Sequence, residues 1–288
     1  MLIHMRYQKN KNYLNRIYCG DAAKVMSQLP DKSVDLIVTS PPYADRRKKQ
    51  YGGPPPEKYV EWFLPFAKEF KRILKQRGSI ILNIKENANR GERQVYVLEL
   101  IIEMRKNGWF WVEDYIWHKK NAFPGKWSNR FRDAWEHCLH FTKDRNFKMY
   151  KESVKVPIGP WAAPRLKKLG VNDRIRSESR TESGFGRQLT NWVGKRKVYP
   201  SNVLYLPTVS ANKNHCAVFP ESLPTWFIKL FTKKGDVILD PFIGSGTTAI
   251  AAIKTERNFV GIDLSKKYYT MSNKVIKKTL KSEKKRQK

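Results

Sequence analysis

Two short segments, far apart in the chain, carry residue types and spacing suited to chemistry. The first runs Asp236-Val-Ile-Leu-Asp240-Pro-Phe242-Ile-Gly244-Ser-Gly246-Thr247-Thr248. An apolar strand that turns through two glycines straight into a helix brings backbone N–H groups close to whatever lies over the strand end, which makes a nucleotide cradle. Gly-x-Gly alone also serves any tight strand-to-helix turn, and the Gly-Lys-Ser/Thr ending of a triphosphate loop is missing. Asp263 strengthens the nucleotide reading: it ends the next expected strand, where a carboxylate can accept hydrogen bonds from ribose hydroxyls. The second segment is Thr39-Ser40-Pro41-Pro42-Tyr43. As a polar turn it would explain the prolines but not the whole set. Ser40 offers a hydroxyl oxygen, the proline-stiffened backbone a carbonyl, and Tyr43 a ring for stacking. These suit an exocyclic base amine, a poor nucleophile because its lone pair is delocalised into the ring. Acceptors around its N–H groups favour the tetrahedral nitrogen that attacks.

Both segments need rigid strands beneath them. Runs at Arg16–Cys19 and Val34–Thr39 read as strands, the second β-branched, buried and stopped by Pro41-Pro42. Further strands are expected at 78–84, 109–119, 134–142, 236–240 and 258–263, and helices at 22–29, 57–75, 93–106, 222–231 and 247–253. Pro65 predicts a kink in the second helix, or its division into two. Strands alternating with helices imply a parallel sheet covered on both faces, and the two successive strands at 109–119 and 134–142 imply an antiparallel edge hairpin.

Composition bounds the partner. The 288 residues hold 57 Lys and Arg against 26 Asp and Glu, a formal charge of +31 that draws in polyanions, nucleic acid by default. No apolar run reaches the roughly 18 residues of a spanning helix, and the polar, basic start lacks an export signal, so a cytoplasmic location is expected. Cys19, Cys138 and Cys216 are too scattered for a disulfide framework or a zinc site. His118, His137, His140 and His215 lack metal-site spacing, so no metal is expected.

The Thr-Ser-Pro-Pro-Tyr and Asp-Pro-Phe-Ile-Gly-Ser-Gly-Thr motifs resemble the two signatures of S-adenosylmethionine-dependent DNA amino-methyltransferases, in the permuted order of the β class. The catalytic motif comes first, the cofactor motif last, and the target-recognition region between them. The resemblance covers Tyr18 to about Tyr268 and implies a doubly wound, Rossmann-like, circularly permuted α/β sheet with an insertion. It implies a catalytic loop of Ser40, Pro41, Pro42 and Tyr43. It also implies a cofactor site of Asp240, Phe242, Gly244, Gly246 and Thr247, with Asp263 on the ribose and Asp21 beside the adenine. Asn214 to Pro220, including Phe219, resembles the stretch leading into the helix beside the methionine part of the cofactor.

In that family Ser-Pro-Pro-Tyr goes mainly with cytosine N4 and Asp-Pro-Pro-Tyr mainly with adenine N6, so Ser40 favours cytosine, in duplex DNA with the target base flipped out. Carbon-5 methylation would need a cysteine nucleophile, usually after a proline, and none of the three cysteines follows one. The expected divisions are a catalytic half at 1–150, a target-recognition insertion at 151–210, a cofactor half at 211–273 and a basic tail at 274–288. Lys and Arg far outnumber Asp and Glu in 151–210, and Arg174, Arg176 and Arg180 are candidate DNA contacts. Arg46, Arg47, Lys48 and Lys49 are candidates for gripping phosphates, against an ordinary solvated loop. Trp127, Trp161 and Trp192 are either stacking residues or local packing anchors. A partner restriction endonuclease fits the resemblance. The competing readings are an adenine-N6 enzyme on the same fold and a non-catalytic DNA-binding protein.

Overall fold

A computed structural model describes residues 12–45, 52–122, 129–171, 173, 189–208 and 219–286. By packing, the chain divides into two compact units, residues 1–150 with 202–288, and residues 151–201.

The larger unit is built on one eight-stranded sheet. Its strands are β1 (Arg16–Cys19), β2 (Val34–Thr39), β3 (Leu74–Ile84), β4 (Phe110–Lys119), β5 (Trp135–Thr142), β6 (Val203–Leu206), β7 (Val237–Asp240) and β8 (Asn258–Asp263). Their spatial order is β1-β8-β7-β2-β3-β5-β4-β6. All pairings are parallel except those of β5, which runs antiparallel to both neighbours. All six residues of β2 are buried, as a central strand covered on both faces must be.

The helices are α1 (Ala22–Met26), α2 (Tyr59–Ile73), α3 (Tyr96–Lys106), α4 (Ala162–Lys167), α5 (Ser222–Phe231), α6 (Thr247–Lys254) and α7 (Lys266–Arg286). In α2 the residues Tyr59, Phe63, Phe66, Ala67, Phe70 and Ile73 make one buried face. That continuous face explains why Pro65 does not divide α2, which is a single helix. Several boundaries differ from expectation: α1 stops at Met26, α3 starts at Tyr96, and three further differences shape the sheet and its cover. β3 begins at Leu74, directly where α2 ends, because Lys75 closes on the buried Asp35 of β2 at 2.6 Å. The expected hairpin forms but is not the edge, because β6, inside the stretch expected as an insertion, pairs with β4 outside it. The basic tail at 274–288, expected as a helix end that frays, stays helical as far as Arg286: Tyr268, Ser272 and Ile276 sit on the buried side of α7, and its lysines face outward.

The order of strands decides where a ligand can sit. From β7 the chain moves through α6 to β8 on one side, and from β2 through α2 to β3 on the other. The direction of winding reverses between β7 and β2, and in open α/β sheets such a switch point leaves a crevice outside the carboxyl ends of the two strands.

The smaller unit contains α4, single turns at Lys151–Val154 and Leu189–Trp192, and a two-residue antiparallel ladder of Val156–Pro157 with Lys197–Val198. Tyr199 and Lys155 both bond Glu152, each at 2.6 Å. Lys167, Lys168, Lys195, Arg196 and Lys197 are exposed. The ring of Trp161 is half-exposed, and Lys195 stands 5.3 Å over that of Trp192.

Candidate active site

β2 delivers its loop to the crevice. Pro41 and Pro42 end the ladder because they lack backbone N–H groups, and the loop is held from behind. The Tyr59 hydroxyl donates to the Pro42 carbonyl at 3.0 Å, and the Asn87 amide donates to the Ala44 carbonyl. Gly53 lies so near that a Cβ on it would meet the Tyr43 carbonyl oxygen at 1.8 Å. Pro42 thus faces the supporting scaffold, while Ser40 and Tyr43 face each other with their hydroxyls 3.3 Å apart.

β7 delivers the glycine loop. Asp240, 2% exposed, accepts from the Thr39 hydroxyl at 2.6 Å, the Thr248 hydroxyl at 2.6 Å and the Phe242 N–H at 3.1 Å. Burial pushes its carboxyl up to about 6, against the pull of those three donors. Thr39 precedes Ser40, so this one carboxylate ties the two loops together. Phe242 packs on Trp62 and Phe66 of α2, with ring centroids at 5.9 and 5.2 Å. Gly246, at φ +91°, adopts a conformation that side chains rarely take, and a Cβ there would meet the Ser272 Cβ of α7 at 3.2 Å.

Asp263 ends β8 beside this loop. Its two oxygens accept the Gly244 N–H at 2.9 Å and the Ser265 N–H at 2.8 Å, and burial raises its pKa. The Gly20 N–H donates to the Asp263 carbonyl at 3.0 Å, which brings the end of β1 alongside. There Asp21 caps α1 by accepting the Lys24 N–H at 2.9 Å. Thr247 opens α6, its hydroxyl 3.1 Å from that of Ser245. Phe219, half-buried, lies three residues before the start of α5. Apart from Phe219, every sequence-expected cofactor residue flanks a carboxyl strand end or a helix start next to one. Glycines for close approach, an aromatic face and a carboxylate with lone pairs to spare fit a nucleoside-bearing cofactor.

Sequence reasoning missed the polar wall behind Tyr43. The Tyr43 hydroxyl donates to Glu136 Oε2 of β5 at 2.8 Å. The same oxygen accepts the Asn83 amide of β3 at 3.0 Å, and Oε1 accepts Lys119 of β4 at 2.5 Å. Burial, then the charge of Glu136, raises the Tyr43 hydroxyl well above its usual range, so it stays a donor. Asn83 interrupts the buried run Ile80-Ile81-Leu82-Asn83-Ile84, and Glu136 shares a strand face with the buried Cys138 and His140. A polar residue inside an otherwise buried strand was the available signal.

A charged girdle continues from this wall. Arg93 binds Glu86 at 2.6 Å and Asp133 at 2.7 Å, and the Lys85 ammonium lies 3.1 Å from the centre of the Trp135 ring. The ring of His137 lies between Asp114 at 2.8 Å and Glu86 at 3.3 Å. Burial opposes its charge, but hydrogen bonds to the two carboxylates prevail and push the imidazole up to about 9. A folded pKa above the unfolded value gives stability that is full below about 6.5 and is lost as pH rises through about 9. Urea unfolding of the wild type and of His137→Gln is therefore expected to show an advantage for the wild type on the order of 2–3 kcal/mol near pH 6 that is largely gone by pH 10.

Among the described residues no group of three His, Cys, Asp or Glu could hold a metal ion. Arg46, Arg47, Lys48, Lys49, Arg174, Arg176 and Arg180, with Trp127 and 214–218, lie outside the described residues. No described helix is long and apolar enough to cross a membrane.

The profile of a DNA methylase family covering N6 and N4 enzymes matches residues 34–274. The chain belongs to the N6/N4 DNA methylase family. The methylase is 30% identical over 280 residues to the type II methyltransferase M.PvuII of Proteus hauseri, covering 89% of this chain and 82% of that one. It is 28% identical to M.BglII of Bacillus subtilis, over 92% and 70% of the two chains. The solved PvuII DNA methyltransferase, described as cytosine-N4-specific, superposes with a TM-score of 0.68 at 26% identity over 89% of this chain and 84% of that one. The M1.HpyAVI–SAM complex shares the fold, with a TM-score of 0.54 at 22% identity over 90% and 97%. The methylase thus has the mostly parallel Rossmann-like sheet of its relatives.

Proposed function

We propose that this DNA methylase transfers a methyl group from S-adenosylmethionine to the N4 amine of a cytosine flipped out of duplex DNA. One observation carries the reading. The Ser40–Tyr43 loop and the Gly244–Gly246 loop leave adjacent parallel strands at the switch point, joined by the 2.6 Å Thr39–Asp240 bond. Two reactants held in neighbouring loops meet without diffusing, which is worth several kcal/mol of barrier.

In this reading Asp263 and Asp21 hold the nucleoside end of the cofactor, Phe242 packs against it, and the Gly244–Thr247 turn lets it approach the backbone. When bound, the cofactor supplies an electrophilic sulfonium methyl. Unstacking the target costs a few kcal/mol, which the Tyr43 ring offsets by stacking on the base. Ser40 Oγ and the Pro41 carbonyl accept the two amine hydrogens and turn the nitrogen lone pair toward the methyl group, so attack is direct and in line with no covalent enzyme intermediate.

Ser40 at the head of the motif and the likeness to a cytosine-N4-specific enzyme favour cytosine over adenine. The +31 charge and the exposed basic residues of 151–201 support that unit as the reader of the DNA site, with contacts to phosphates and base edges. Its relatives belong to type II systems, so a partner nuclease of matching specificity fits. Incubation with DNA and cofactor labelled in the methyl group, followed by separation of the nucleosides, is expected to place the label in N4-methyl-2′-deoxycytidine. Label in N6-methyl-2′-deoxyadenosine would overturn the choice of base, and none in DNA would overturn the reading.

A further inference from the structure

The hydrogen bonds behind the catalytic loop have a direction. Ser40 Oγ donates to the Tyr43 hydroxyl at 3.3 Å, and that hydroxyl donates to Glu136 Oε2 at 2.8 Å, closer than its alternative acceptor, Asn83 Oδ1, at 3.4 Å. Glu136 is 9% exposed and is held on both sides, by Lys119 on Oε1 and by the Asn83 amide on Oε2. Stacking on a base needs only the ring of Tyr43. It gives no reason for a buried carboxylate at the hydroxyl end of that ring, carried by a different strand from the one that bears the loop.

We propose that Ser40, Tyr43 and Glu136 form a proton relay that drains the exocyclic amine during methyl transfer, with Glu136 as its terminal acceptor. The inference rests on the placement of the target amine against Ser40. As the amine nitrogen forms its bond to the methyl carbon and the carbon–sulfur bond breaks, the nitrogen becomes cationic and must lose one proton. That proton passes to Ser40 Oγ, the Ser40 proton passes to Tyr43, and the Tyr43 proton passes to Glu136 Oε2. The carboxylate becomes a carboxylic acid, both hydroxyls are restored, and after the methylated base leaves, Glu136 returns the proton to water. Glu136 touches no substrate atom and is a positioning residue. The groups that face it are Tyr43 from the loop after β2, Asn83 from β3, Lys119 from β4 and Cys138 from its own strand.

The test is single-turnover methylation of a duplex by the full chain, with wild type, Glu136→Gln, Glu136→Asp, Tyr43→Phe and the Glu136→Gln/Tyr43→Phe double variant. Glu136→Gln and Tyr43→Phe are each expected to slow turnover about 100-fold. Cofactor dissociation constant and KM for DNA stay within about twofold, and the double variant is no slower than either single one, because one broken relay cannot be broken twice. Glu136→Asp, which keeps a carboxylate, restores part of the rate. Tyr43→Phe keeps the packed ring, so it reports even where a Glu136 variant fails to fold. Tyr43→Phe at the wild-type rate, or a double variant slowed by the product of the two single effects, would overturn the relay. With Ser40→Ala still slow, either result leaves the assigned site standing; a Ser40→Ala variant at full rate would instead bring down the site itself.

Discussion

Ser40→Ala turns over on the order of 100-fold more slowly than wild type and binds S-adenosylmethionine with unchanged affinity, the first measured by quenched single-turnover methylation and the second by calorimetry. The expectation follows from how labour is divided along two consecutive residues. The Thr39 hydroxyl bonds Asp240 of the glycine loop, whereas the Ser40 hydroxyl faces Tyr43. In the proposed reading, removing Ser40 Oγ takes an acceptor from the amine and leaves the carboxylate that joins the loops untouched. An interaction needed only as the nitrogen attacks is lost from turnover and not from ground-state binding. Tyr43→Ala is expected to behave alike toward the cofactor and in addition to raise KM for DNA, since the stacking ring is gone. A marked loss of cofactor affinity in Ser40→Ala would mean that the loop belongs to the wrong ligand.

The opposite division is expected at Asp240. Asp240→Ala strands the Thr39 and Thr248 hydroxyls and the Phe242 N–H in a buried place where each had its acceptor. A buried donor without a partner costs about 1–3 kcal/mol, so loss of all three lowers folding stability by several kcal/mol and the melting temperature by about 10 °C or more. The glycine loop loses its anchor at the same time, and cofactor affinity falls on the order of 100-fold or more. Asp240→Asn retains one carbonyl oxygen as an acceptor and is expected to lie between the two. Differential scanning calorimetry with titration calorimetry separates the effects; an Asp240→Ala protein that melts and binds cofactor like wild type would show that the loop holds its shape unaided.

How much of this was readable depends on whether a residue's partner was near in sequence or across the sheet. β2 and β8 fall at the expected limits because each is a short apolar run with a definite stop, and α5 because one apolar face fills all its turns. The pairing of β2 with β7 was legible only indirectly, through two motifs whose chemistry requires them to meet. Lys75 read as a helix end because lysine there looks solvated; its partner Asp35 lies on another strand. β6 escaped because four residues in a basic stretch give no periodicity. Within the site, Ser40, Tyr43, Asp240 and the glycines announced themselves by local pattern. Glu136, Asn83 and Lys119 come from three different strands and meet only through register, Asn83 opposite Cys138 and Trp117 opposite Glu136.

The order of strands also bears on how copies of the protein avoid sticking together. A sheet of eight strands presents two lateral rims of unpaired amides and carbonyls, and a long rim invites a foreign strand to add. Among the described residues the rim strands are the four-residue β1 and the four-residue β6. Such a length offers an intruder about two to four ladder bonds, each worth roughly 1 kcal/mol net. The loss of translational and rotational freedom on association costs about 4–15 kcal/mol. Brevity at the two margins thus guards a wide and otherwise adhesive sheet against growing from one molecule into the next.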